Sequence, residues 1–398
     1  MQLLFRFLLT VALSAASLSA QSKRDVGEIG VEVKNAAIRL RITSSAPELQ
    51  GLAQKAFSSH GRYTVVGSGQ QFDLKFTPAG GTQVKVEITR GSAATPVHAE
   101  TVSGTTLNDA LLRAADVGVV KTNGIPGQRG FFTAKLAFIS KRTGKTEVYT
   151  SNLFLGEAVQ VTRFGALALS PRWAPDGSKL IYTSYFKKGA PDIYVVDPAT
   201  GRHDEIASYK GTSSGGRFSP SGGQIAMILS ASGTSELFVT NARGTIAPDS
   251  RKTRSEAVKA SPCWSPDGRQ IVMTMEPGPQ LYVISAAGGA PRRLSGAFSY
   301  MAEPDWSRTE PNKIVCTVKK DGRYQIAVVD AANGAAKVVS QSPIDVVEPS
   351  WLADGRHVVC TVRDRRSSVL HILDTETGKL TAISGANDNM MQASALLR

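Results

Sequence analysis

Residues 211–215 read Gly-Thr-Ser-Ser-Gly, a G-x-S-x-G string with Ser213 at its centre. A serine hydrolase holds its nucleophile on such a string, at a sharp turn between a strand and a helix. Here the next residues, GRFSPSGG, lead into a short strand pattern, and no β-α alternation of domain size follows. Ser213 therefore does not read as a nucleophile. The five histidines, His60, His98, His203, His357 and His371, are dispersed, and none forms a short zinc-ligand pair. His357 and His371 lie in strand segments and read as blade residues, not ligands. The aspartates of DGR, DGS and DTETG lack the ligand density of a calcium loop. No glycine-rich phosphate loop follows a strand and opens a helix. The expectation is a non-enzymatic chain with no catalytic residue, no metal and no cofactor.

The elements that carry these residues repeat. Five segments share one formula: SPRWAPDGSKLIY (170–182), GGRFSPSGGQIAM (215–227), SPCWSPDGRQIVM (261–273), EPDWSRTEPNKIVC (303–316) and EPSWLADGRHVVC (348–360). Their anchors, Trp173, Phe218, Trp264, Trp306 and Trp351, are spaced by 45, 46, 42 and 45 residues. A period of about 40–45 residues indicates propeller blades or solenoid units. After each anchor comes a turn. Proline pre-sets φ, aspartate caps the turn through its side chain, and glycine accepts φ > 0. A second strand follows (KLIYTS, QIVMTM), then a third with a Gly-ended turn (DIYVVDPATG, QIAVVDAANG), then a more polar fourth. Four antiparallel strands per repeat make a propeller blade.

Strand counting closes the ring. KLAFIS (135–140) and EVYTSNLFLG (147–156) are second and third strands with no anchor before them. MQASALL (391–397) puts Ala395 44 residues after Trp351, in register with the anchors. The C-terminal strand, 389–398, is expected to complete the first of six blades and leave no open edge. Before the ring, residues 46–61 place Leu49, Leu52, Ala53 and Phe57 at helical spacing, with Gly61 as a stop. RYTVVGS, FDLKFT and TQVKVEITRG read as strands. Residues 105–124 read as a second helix, with Thr106 and Asp109 as a capping box. The fold class is mainly β: a six-bladed propeller over 129–398, preceded by a small α/β domain over 22–128.

Bulk properties agree with export. Met1–Ala20 has Arg6, an apolar run and small residues, the layout of a signal peptide cut near Ala20, with neighbouring cleavage sites left open. No membrane span is expected after cleavage. Cys316 and Cys360 occupy matching places in successive repeats. Stacked sheets lie about 10 Å apart, beyond the ~7 Å a disulfide tolerates, so both read as small buried hydrophobes, as does Cys263. The net charge is +13, but the basic residues are spread along the chain and form no nucleic-acid module. The expectation is a solvated basic surface, no nucleic-acid partner and a monomer.

A signal peptide, an α/β domain and six blades together resemble the TolB family, the periplasmic propellers of Tol–Pal envelope systems. The resemblance rests on the SPxWSPDGxxIxY formula and on the junction LLRAADVGVVKTNGIPGQRGFFTAKLAFIS (111–140). It implies binding without chemistry: a peptidoglycan-associated (Pal-like) lipoprotein held on one propeller face, in support of outer-membrane integrity and envelope constriction. By position in the formula, the implied contact residues are Thr212 and Gly215 before Phe218, Ala260 and Ser261 before Trp264, and Glu303 and Glu348 on the rims of the next two blades. The sequence departs from the family at 21–45, which lacks a match to the stretch that engages TolA, so a TolA-like inner-membrane partner stays open. Blade three has also lost its Trp and its Asp-Gly turn. The alternative from another class is an exported propeller that binds a small molecule or glycan in its central channel. A gene neighbourhood with a Pal-like lipoprotein, or with a hydrolase or transporter, separates the two.

Overall fold

The computed structural model describes residues 37–156, 158–187 and 189–397. The expected signal peptide lies outside the described residues. No helix among them is long and apolar enough to cross a membrane.

The first unit is a five-stranded sheet covered by two helices. The sheet order is Tyr63–Val65, Ile38–Ser44, Phe72–Pro78, Gln83–Arg90, His98–Ser103. Ile38–Ser44 is parallel to both neighbours, and the remaining pairs are antiparallel. The sequence reading named neither Ile38–Ser44 nor His98–Ser103 as a strand. Yet IRLRITS alternates strictly: Ile38, Leu40 and Ile42 are buried, while Arg39 and Arg41 face solvent. Helix α1 spans Pro47–Ser59 and α2 spans Leu107–Thr122. Thr106 caps α2 by accepting from the Asp109 amide at 3.2 Å. Asp109 reaches back to the Thr105 amide, 2.8 Å away, rather than to Thr106. Gly61 does not end α1 through a left-handed turn. It is needed for space, since a Cβ there would overlap Asp374 and Thr377 of the propeller.

Six sheets form the second unit. Five have four strands. The third has three, Ser213–Phe218, Gln224–Leu229 and Glu236–Asn241, and its outer edge is reduced to a bridge between Phe238 and Arg251. Met390–Leu396 pairs antiparallel with Lys135–Ser140 and serves as the innermost strand of the first blade. Apolar clusters lie between neighbouring blades. One joins Ala226, Ile228 and Leu237 of blade three to Trp264 and Ile271 of blade four. Another joins Val315 and Ile326 of blade five to Trp351 and Val358 of blade six. The anchors thus fill the wedges between sheets. Trp264 Nε1 donates to the Arg217 carbonyl at 3.0 Å and Trp351 Nε1 to the Asp305 carbonyl at 2.9 Å, each crossing to the preceding blade.

Four of the six blades also carry a buried polar clamp. At the start of the third strand an amide donates to a hydroxyl instead of a backbone carbonyl: Val148 to Thr162, Leu237 to Thr253, Ile326 to Ser340 and Leu370 to Ser384, at 2.8–2.9 Å. In blade three an ion pair to the inner strand of blade four backs the clamp. The fully buried Lys259 and Glu236 meet at 2.8 Å. Burial opposes the Glu236 charge, but Lys259, Thr253 and Arg251 outweigh it and bring its pKa down to about 2. A buried pair with its remaining atoms hydrogen-bonded avoids the several kcal/mol that an isolated buried ion costs, an order-of-magnitude figure.

The two units share one apolar core, in which Phe57, Phe76 and Leu111 join Phe132, Phe138, Val359 and Leu370. The connecting chain is pinned by Asp116 of α2, which accepts from the amides of Phe132 (2.8 Å) and Thr133 (3.2 Å) and from the Thr133 hydroxyl.

Candidate functional site

The innermost strand of every blade contains a bulge at the same place, where its register against the second strand slips. Six residues there adopt left-handed φ: Ser170, Gly215, Ser261, Glu303, Glu348 and Gln392. Only Gly215 does so at no steric cost; for the others the conformation costs about 1–2 kcal/mol each. Hydrogen bonds between blades hold part of this ring. The Glu303 carboxylate accepts from the Glu348 amide at 3.0 Å. The Glu348 carboxylate accepts from the Gln392 amide at 3.0 Å, and Gln392 Oε1 from the Ser170 amide at 2.7 Å. Thr317 and Thr361 hydroxyls donate to Glu303 and Glu348. Burial, then the Glu348 charge, raises the Glu303 pKa.

Glu303 and Glu348 sit at the bulges of their inner strands, and Glu348 is only 8% exposed. Their carboxylates take backbone amides of the next blade. Ser261 shares the left-handed position, and Gly215 supplies it in blade three. Thr212 lies just before its inner strand, with its amide 2.7 Å from Ser230 Oγ. Ala260 pairs with Thr274.

Inner strands begin at one face of the ring, here the upper face, and run to the anchors at the lower face. The upper face carries four exposed apolar side chains that sequence reasoning missed: Leu167, Phe186, Tyr209 and Val258. Leu167, Tyr209 and Val258 lie in the loops that lead into the inner strands of blades two, three and four, and Phe186 in the loop after Leu180–Ser184. Phe186 packs on Phe164 with ring centroids 4.1 Å apart. The signal available was a large apolar residue inside an otherwise polar loop.

Ser213 opens an inner strand, is fully buried and is followed by a hairpin, so the strand–turn–helix geometry of a nucleophile elbow does not occur at this string. The fold brings His60 and His357 together, with ring centroids 4.4 Å apart, and Asp354 joins them in a group with metal-like spacing. Their bonding describes an ion-pair joint between the two units. Burial opposes charge on His357, but Asp354 at 2.6 Å and Asp374 at 3.5 Å raise its pKa to about 9. A ring protonated at both nitrogens has no lone pair for a metal. His60 is held neutral by burial, then by the His357 and Arg356 charges. Its Nδ1 accepts from the Arg62 amide. Arg356 bonds Asp374 through Nε and Nη2 at 3.0 and 2.6 Å.

The family model described as the TolB beta propeller domain matches residues 123–395. The Tol-Pal system protein TolB of Bordetella pertussis is 32% identical over 168 residues, which cover 42% of this chain and 38% of that protein. The protein of the same name from Bordetella parapertussis matches equally over 168 residues, 37% of its length. The aligned part thus spans less than half of these curated relatives. The crystal structure of TolB from Acinetobacter baumannii superposes with a TM-score of 0.77 at 20% identity, covering 91% of this chain and 97% of that one. At that identity the likeness concerns the fold, including the domain before the ring. With the family model spanning all six blades and the closing strand, the chain belongs to the TolB β-propeller family.

Proposed function

We propose that the chain is a non-enzymatic periplasmic adaptor of a Tol–Pal system, which holds a Pal-like lipoprotein on the upper face and so supports outer-membrane integrity and constriction. The observation that carries the reading is the exposed apolar set Leu167, Phe186, Tyr209 and Val258 on one face. Apolar and aromatic side chains gathered on one surface mark protein interaction sites, and aromatics are enriched among binding hot spots. Thr212 and Ala260 lie where the inner strands of blades three and four begin at that face. Gly215, Ser261, Glu303 and Glu348 support it one step further in, at the bulges. The names of the Bordetella relatives agree with a Tol–Pal context.

The test is calorimetric titration of the chain with the Pal-like lipoprotein domain of the same organism. Saturable 1:1 binding is expected. Tyr209→Ala and Phe186→Ala should each weaken it by about tenfold or more, the cost of a typical hot spot. No binding by the unaltered chain, or binding indifferent to both substitutions, overturns the proposal.

A further inference from the structure

One residue before each anchor, the six inner strands place Arg172, Arg217, Cys263, Asp305, Ser350 and Ser394 around the lower end of the channel. They enclose a pocket of about 50 Å³, with Arg308 at its edge. Among the described residues, three guanidinium groups meet one carboxylate there. Asp305 is already engaged. Its Oδ1 accepts from Arg217 Nη1 at 2.6 Å and its Oδ2 from the Trp351 amide at 2.8 Å. Among the described residues Arg172 donates to the Pro171 carbonyl alone, 3.2 Å from Nη1. Among the described residues no carboxylate stands within ion-pair distance of Arg172 or Arg308. Glu348, one tier above, acts on Arg172 only at longer range, and its oxygens are taken by Thr361, Gln392 and Arg363. Burial, then the Arg217 charge, pushes the Arg172 pKa down to about 10.

Like charges gathered in a recess are costly unless something neutralises them. Planar guanidinium forks match oxyanions with two parallel hydrogen bonds. We propose that the lower end of the channel is an oxyanion site, in which Arg172 and Arg217 grip one carboxylate, phosphate or sulfate group and Arg308 draws it in. The volume sets the size of the ligand. A pocket of about 50 Å³ exceeds the roughly 10–15 Å³ that one water requires, and falls far below the ~300 Å³ of ordinary small-molecule sites. The site takes an anionic head group, free or at the tip of a larger molecule, and not a sugar ring. It opens on the face opposite the proposed lipoprotein surface, so each can fail without the other.

The experiment titrates the full chain, prepared without phosphate or sulfate, with inorganic phosphate at constant ionic strength. Calorimetry and thermal midpoints are read together. Saturable binding and a phosphate-dependent rise in midpoint are expected. Arg172→Gln should weaken binding by at least about tenfold. It should also melt no lower than the unaltered chain in anion-free buffer, because it removes a repulsive charge. Arg308→Gln, an exposed change that leaves the fold alone, should weaken binding about two- to threefold. Glycerol 3-phosphate distinguishes the sources: binding comparable to phosphate identifies a head group on a larger molecule, and binding of phosphate alone identifies a free ion. An absence of saturable binding, or equal midpoint shifts in the unaltered chain and in Arg172→Gln, overturns the proposal.

Discussion

Gly61 sits where the α/β domain meets blade six, and its replacement by alanine tests that joint. Its φ lies outside the left-handed region, so the backbone itself accepts alanine. The obstacle is space. The new Cβ would fall well inside contact distance of Asp374 Oδ2 and Thr377 Oγ1, and 2.9 Å from Asp374 Cγ. Asp374 cannot retreat freely. It is fully buried, bonds Arg356 twice, lies 3.5 Å from His357 and accepts from the Glu376 amide at 2.9 Å. If the network holds and the domains part slightly, the cost is that of overpacking, about 1–3 kcal/mol. If Asp374 swings away, Arg356 and His357 lose a buried partner, at about 3–5 kcal/mol. The expectation for Gly61→Ala is therefore a loss of about 1–5 kcal/mol. Gly51 is the matched control. It lies within α1 with nothing near its missing Cβ, so Gly51→Ala should stabilise by about 0.5–1 kcal/mol. Denaturant unfolding of both variants measures the energies. Amide exchange across 354–378 reports whether the loss is at the joint. A Gly61→Ala protein as stable as the parent, with unchanged exchange there, would refute the reasoning.

Removing residues 389–398 should cost at least about 5 kcal/mol, since Met390, Ala393 and Leu396 are buried and the first blade loses its inner strand; an unchanged melting temperature would sink the closure argument. His357 sets a pH limb. Its folded pKa of about 9 lies above the unfolded value near 6.5, so its stabilisation is complete below about pH 6.5 and is lost as the pH rises through 9, a change on the order of 3 kcal/mol. His60 has the opposite sign: its folded pKa is depressed, so its neutral form disfavours folding only as the pH falls below about 6.5. Melting of His357→Gln from pH 6.5 to 9 should flatten the alkaline limb, and a limb of undiminished slope would count against this account.

The blade count and the closing strand were legible because the Trp and Asp-Gly formula recurs at nearly constant spacing, which local chemistry alone can mark. The cap of α2 was legible for the same reason, as Thr106 and Asp109 act within one turn. Ile38–Ser44 was also readable, since Ile38, Leu40 and Ile42 alternate with Arg39 and Arg41. The bonding of Glu303 and Glu348 to amides of the next blade was not readable. A residue before Pro-x-Trp has the right place in the formula, but only the bulge decides which way it faces. Nor was the meeting of His60 with His357. That contact depends on how an α/β domain lands on the sixth blade, and no local pattern specifies it. The arginine-lined recess lies between these cases. Its six positions are all one residue before an anchor, so a reader who aligned the repeats could have read Arg, Arg, Cys, Asp, Ser, Ser in a column.

The closing strand also sets an order of assembly. The Ser140 hydroxyl donates to the Asp388 carbonyl, 248 residues further along the chain. Blades two to six are each contiguous and can form as their residues emerge. Blade one is begun earliest and finished last. Until residues 390–396 arrive, the strand Lys135–Ser140 offers an unpaired edge beside apolar surface that belongs to the ring. Such edges invite pairing with other chains, and contacts between distant residues form slowly. The stage of greatest danger to this protein is thus the interval between making its first blade and making the strand that covers it, and a chaperone that guards that edge would matter most during that interval.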